Sequence, residues 1–235
     1  MVQMARVKEV HYFDDDNINW IAPDYKKLHS QFNWNDINVV RGEATPIYIY
    51  WPEAIMRLRD YNPNAKIIVA LRHPAYRAFS HWKMEKRRGW ETMPFDECIE
   101  SEAQKRVSES PNGAHRVHSY VERGYYATQI SSILKRFPKN NVHFLLMDDL
   151  CCATSKTLAA VEEFLGLGPV VSLNPDQSYV EVAPGVGMQL ERPMPELIKK
   201  LNAIYKNDII DTAHLTGLNL SAWTSSDYRE VLPAL

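Results

Sequence analysis

A chain of 235 residues, 45% of them apolar, has the length for one sizeable α/β domain and ample material for its core. Its net charge of −2 and pI near 6.5 argue against a general nucleic-acid binder, so any anion site is local. The three cysteines, Cys98, Cys151 and Cys152, show neither metal-ligand spacing nor a disulfide framework, and no apolar run approaches the ~18 residues of a membrane span. With no signal-peptide core at the N-terminus, the expectation is a reduced, cytoplasmic protein with no membrane or nucleic-acid partner.

No internal repeat or long linker interrupts the chain, and a single domain over 1–235 is expected. Residues 24–32 have helical spacing, and 37–40 read as a short strand broken by Gly42 and Pro46. Pro52 suits the first turn of a helix to about Tyr61, with Ala54, Ile55, Leu58 and Tyr61 on one face. The unbroken apolar run at 66–71 is typical of a central parallel strand, and 74–87 follows it directly as a helix. Beyond the helical stretch 94–106 and the polar loop "SESPNGAHRVHS", 124–137 is an amphipathic helix, 142–147 a second buried strand and 155–165 a helix ending at Gly166. Residues 168–187 look irregular, and 195–214 close the chain as a long helix. This alternation implies a parallel sheet with helices on both faces.

The strand at 66–71 runs straight into Arg72. In open α/β sheets ligands lie at the carboxyl ends of strands, where a helix N-terminus offers free N–H groups. A guanidinium there pairs bidentately with a phosphate, Ser80 lies two turns along the helix, and Arg77 is a third polar group nearby. The competing reading has Arg72 paired with a carboxylate at the sheet rim and Ser80 facing helix or solvent. For Lys8 and Glu9 the plain reading is a solvated pair at a strand edge.

The segment "LRHPAYRAFSHW" resembles the 3′-phosphate-binding segment of sulfotransferases that use 3′-phosphoadenosine 5′-phosphosulfate (PAPS), in which a strand ends in Arg-x-Pro and a Ser follows eight positions after the Arg. "KEVHYFDDD" is similar to the Lys-Glu-x-x-Phe-Phe segment of heparan-sulfate-type and bacterial carbohydrate sulfotransferases, and "GEATPIYIY" to their substrate-side segment. "RGYYATQISSILKRFP", "VHFLLMDDL", "VEEFLGL" and the stretch from Pro195 to Trp223 follow in the family's order, so that the resemblance covers about 6–223. It implies a P-loop-like three-layer α/β fold and sulfuryl transfer from PAPS, as co-substrate and without a metal, to a hydroxyl or amine, most plausibly on a glycan. By match Glu9 is the catalytic base, with Lys8 and His11 beside it; His11 is the second candidate for the base and shares the face of Glu9 if the segment is extended. Arg72, Ser80 and Arg77 are assigned to the nucleotide, with Tyr126 flanking it and Arg192 standing where the family carries a cationic loop. Glu43, Thr45 and Tyr48 are assigned to the acceptor.

Two departures qualify these expectations. Family members place a strand and a Lys-x-Gly-Thr-Thr-like loop ahead of the Lys-Glu motif; only seven residues precede Lys8 here, so the first strand and the loop that wraps the 5′-phosphosulfate are expected to be missing. Such a chain is expected to bind PAPS poorly unless a missing N-terminal segment or a second copy completes it, and an inactive nucleotide-binding remnant or half of a split enzyme is the alternative. The other departure is Ala44, where several heparan-modifying members carry Lys. A nucleotide kinase, the rival within this architecture, needs a Gly-x-x-x-x-Gly-Lys-Ser/Thr loop that the sequence lacks.

Overall fold

The computed structural model describes residues 1–168, 193–225 and 227–231. They divide into two compact units, one formed by 1–65 with 129–141, the other by 66–128 with the remainder from Val142.

In the first unit β1 (Val2–Met4) pairs in parallel with β2 (Val40–Gly42), Val2 opposite Val40. The sequence pattern gives no strand at Val2–Met4 and places the second strand slightly early. Between the two lies α1 (Lys26–His29), shorter than the expected 24–32, and after them α2 (Ala54–Tyr61), as expected. The core of this unit is aromatic. Phe13 meets Tyr12 and Tyr48 edge to face at 5.3 and 5.5 Å, and Tyr25 lies 4.6 Å from Tyr61. Such pairs add about 0.5–1.5 kcal/mol each beyond their burial. The phenol oxygen of Tyr48 accepts the backbone N–H of Tyr12 at 2.9 Å, which pins the "HYFDD" segment to the short 3₁₀ turn Pro46–Ile49.

The second unit is built on β3 (Ile67–Leu71), whose Val69 and Leu71 are buried. Pro74 pre-sets the first turn of α3 (Pro74–Arg87), matching the expected bounds. The expected helix over 94–106 is two helices, α4 (Phe95–Cys98) and α5 (Ser101–Ser108), because Glu100 is extended between them. After α6 (Tyr126–Leu134), within which the division between units falls, β4 (Val142–Leu146) pairs in parallel with β3, Ile67 opposite Val142 and Leu71 opposite Leu146. The two strands thus end level. The chain continues through α7 (Met147–Cys152), which the sequence pattern does not reveal, α8 (Thr154–Leu165), closed by the left-handed Gly166, and the 22-residue α9 (Pro195–Thr216). The expected irregular stretch at 168–187 lies, apart from Gly168, outside the described residues. Among the described residues no helix is long and apolar enough to cross a membrane.

Two features tie the second unit together. Glu91, buried at a turn, accepts hydrogen bonds from Arg106, Tyr120 and the N–H groups of Thr92 and Met93; against the cost of burial these hold its carboxyl down at about 2. On α9, Tyr205 is fully buried, its hydroxyl donating to the carbonyl of Val121 at 2.8 Å, with its ring against Gly124.

Candidate active site

The Lys-Glu motif does not run as an extended strand. Glu9 and His11 both have left-handed backbones, φ 57° and 53°, which non-glycine residues rarely adopt. A conformation of this kind costs about 1–3 kcal/mol per residue and recurs where a site requires it. Its effect is to turn both side chains toward one another: His11 Nε2 lies 3.4 Å from a Glu9 carboxylate oxygen, and Nδ1 lies 2.9 Å from Asp14 Oδ2. Asp14 is fully buried while Glu9 and His11 remain partly open to solvent. The structure therefore brings the two candidate bases together by a route other than the expected shared strand face, and adds Asp14, which the sequence reading did not single out. Lys8 is exposed, and the partner of Glu9 is His11 rather than the adjacent lysine.

The three acceptor-side candidates join the same cluster. Thr45 donates its hydroxyl to Glu43 Oε2 at 2.7 Å and accepts the His11 backbone N–H at 3.4 Å. Burial pushes the Glu43 carboxyl up, opposed by hydrogen bonds from Thr45 and Tyr48; burial likewise pushes the Tyr48 phenol up, with the Glu43 charge adding to it. His11, Asp14, Glu43, Thr45 and Tyr48 form one hydrogen-bonded group within the first unit, which Glu9 joins through its ion-pair contact with His11.

In the second unit Arg72 stands at the carboxyl end of β3. Its Nη2 donates to Glu230 Oε2 at 2.7 Å while Nε donates to Oε1, a bidentate pair of the kind weighed above as a rim contact. Burial works against the guanidinium's charge, but the buried Glu230 carboxylate outweighs it and raises its pKa. Tyr126 does not stand open to flank a nucleotide. It is buried, its hydroxyl donates to the Arg72 carbonyl at 2.8 Å, and burial pushes its phenol up to about 12, so that it braces the strand end. Arg77 donates to the Tyr120 carbonyl, and Ser80 is half-buried one turn further along α3. Trp82 is likewise a packing residue, bonded to the Met93 carbonyl at 2.9 Å. Arg192 lies outside the described residues.

Residues 51–181 match the model of the sulfotransferase domain, more than half of the chain, and the chain belongs to that family. Arg72, Arg77, Ser80 and Tyr126 fall inside the matched range; the Glu9 cluster precedes it. The chain is 26% identical over 167 residues to mouse heparan sulfate glucosamine 3-O-sulfotransferase 6, covering 70% of this chain and 45% of that protein. It is 37% identical over 78 residues to the membrane-associated sulfotransferase kil1 of Dictyostelium discoideum, covering 32% of this chain and 16% of that one. The chain spans about half the length of the curated heparan sulfate relatives it matches. A crystal structure of a sulfotransferase from Alicyclobacillus acidocaldarius superposes with a TM-score of 0.76 at 24% identity, covering 95% of this chain and 89% of that one. The fold is therefore the α/β sulfotransferase fold, with parallel strands as the sequence implies.

Proposed function

We propose that this protein transfers a sulfuryl group from PAPS to a hydroxyl or amine of a carbohydrate. The observation that carries the reading is the Glu9–His11–Asp14 arrangement, held by strained backbone at a motif that resembles the family's catalytic segment. The names of the heparan sulfate relatives support a glycan acceptor.

PAPS supplies an electrophilic sulfur and a bisphosphate leaving group. In the transfer the acceptor oxygen or nitrogen forms a bond to sulfur, the bond from sulfur to the 5′-phosphate oxygen breaks, and the acceptor proton goes to the Glu9 carboxylate. His11 Nδ1 is committed to Asp14, so the nitrogen facing Glu9 is Nε2; the proton taken up by Glu9 remains beside an imidazole whose orientation is fixed. The half-buried Glu43 offers a carboxyl suited to sugar hydroxyls, and the buried Thr45 holds it in place through its own hydroxyl. Arg72 is read as the 3′-phosphate anchor from the resemblance of its segment; the Nε/Nη2 fork that holds Glu230 has the donor geometry for two phosphate oxygens.

The test is sulfate transfer from radiolabelled PAPS to heparan sulfate and to its desulfated precursors, with wild type and Glu9→Gln. The wild type is expected to label the glycan, and Glu9→Gln to lose about 10²–10⁴ in kcat with nucleotide affinity unchanged. A Glu9→Gln rate equal to that of wild type would remove Glu9 from the mechanism; no labelling of any glycan would overturn the acceptor class.

A further inference from the structure

The residues near Glu230 do more than pair one arginine. β3 and β4 end in register at Leu71 and Leu146, and the next residues form the carboxyl edge of this strand pair. The segment 227–231 is fastened to both strand ends. The Tyr228 hydroxyl donates to Asp148 Oδ2 at 2.6 Å, just beyond β4, while Glu230 occupies the Arg72 fork just beyond β3. Between these anchors the Tyr228 ring lies flat on His73, with centroids 4.6 Å apart and planes at 13°. His73 is buried and held in turn by the Trp223 carbonyl at 3.1 Å. The carboxyl edge of parallel strands is where α/β folds receive ligands, and a carboxylate on a guanidinium fork has the geometry and the sign of a bound phosphate.

We propose that residues 227–231 form an intramolecular strap that masks the Arg72 anion site, with the Glu230 carboxylate standing where a ligand phosphate binds. The proposal rests on the reading of Arg72 as the nucleotide anchor and adds to it that the phosphate must displace Glu230 before it can bind. The Nε/Nη2 edge holds one anion at a time, so a ligand phosphate that takes this edge competes with the protein's own carboxylate. The apparent affinity is lowered by the fraction of molecules with the strap open, and a change that weakens the strap is expected to raise it.

Calorimetric titration with 3′-phosphoadenosine 5′-phosphate and, separately, with inorganic phosphate would compare wild type, Glu230→Gln, and Arg72→Ala. Glu230→Gln retains the side chain's size and removes its charge, and is expected to bind the nucleotide at least about tenfold more tightly than wild type, a gain that Arg72→Ala abolishes in the double variant. If Glu230→Gln binds phosphate more tightly but shows no preference for the nucleotide, the strap stands and the nucleotide reading falls. If the nucleotide binds wild type and Glu230→Gln equally, or Glu230→Gln more weakly, the strap falls and the nucleotide reading stands. If no protein binds either anion, both fall. Because Glu230→Gln alters a buried pair, hydrogen exchange on wild type gives an independent readout: the amides of 227–231 are expected to exchange faster when saturating nucleotide is present, and unchanged or slower exchange overturns the strap.

Discussion

Asp14 shows what a single side chain contributes to this site. A fully buried carboxylate is costly unless a donor satisfies it, and His11 Nδ1 at 2.9 Å is that donor. In the proposed mechanism it acts through His11 as a positioning residue. Asp14→Asn replaces one acceptor oxygen by a donor and is expected to lower kcat about 10–100-fold with KM little changed. It should also shift the ¹⁵N resonances of His11 toward the other tautomer, a signature that a purely structural loss would not produce; unchanged resonances and rate would remove Asp14 from the arrangement. At this scale the sequence was only partly legible. Glu9 and His11 could be picked out from "KEVHYFDDD", but three consecutive aspartates offer no basis for choice. The choice depends on the left-handed turns at 9 and 11, which an alternating pattern reads as extended chain. In the structure Asp16 goes to Arg57 at 2.8 Å and Asp15 accepts the Asn17 N–H, leaving Asp14 to His11.

At the scale of elements, legibility followed local punctuation. The bounds of α3 could be read because Pro74 marks its first turn, and Gly166 marks the end of α8. The break between α4 and α5 carries neither Gly nor Pro, and the short α7 has too few residues to show a period. Gly124, expected to begin a helix, instead closes a 3₁₀ turn before α6, and the reason is a neighbour 81 positions away in sequence. A Cβ there would lie 2.6 Å from Tyr205 Cζ and Oη. Tyr205 cannot swing aside, since it is fully buried and hydrogen-bonded to Val121. Gly124→Ala is therefore expected to destabilise the protein by about 1–3 kcal/mol through overpacking, seen as a lower urea midpoint at unchanged slope. An unshifted midpoint would mean that α9 moves to accommodate the methyl.

For the molecule as a whole, acid stability depends on histidines buried neutral. Burial lowers His73 to about 4 and pushes His81 lower still, with Arg123 and Arg77 adding to the effect at His81. In the unfolded chain both take up protons below about pH 6.5, whereas the folded protein resists protonation, so stability falls as pH drops from 6.5 toward 4. The His73 share alone amounts to roughly 3 kcal/mol across that window. Glu91 follows at lower pH, its contribution fading between about 4.5 and 2 as its carboxylate is protonated. Urea midpoints measured from pH 7 to 4 are expected to decline steadily; a flat profile would mean that the two imidazoles are hydrated in solution. The pair linking Arg72 to Glu230 is the least legible feature at this scale, because its partners are 158 positions apart and nothing local to either announces the other.

The division of the chain into 1–65 with 129–141, and the rest, also bears on how the protein is made. The ribosome delivers residues in order, and a unit whose last piece begins at Gln129 cannot be complete when its first 65 residues emerge. Until then the unit lacks its last piece while 63 residues belonging to the other unit are synthesised. Its nascent form is thus exposed to chaperones, and to aggregation, for longer than that of a unit encoded in one continuous stretch.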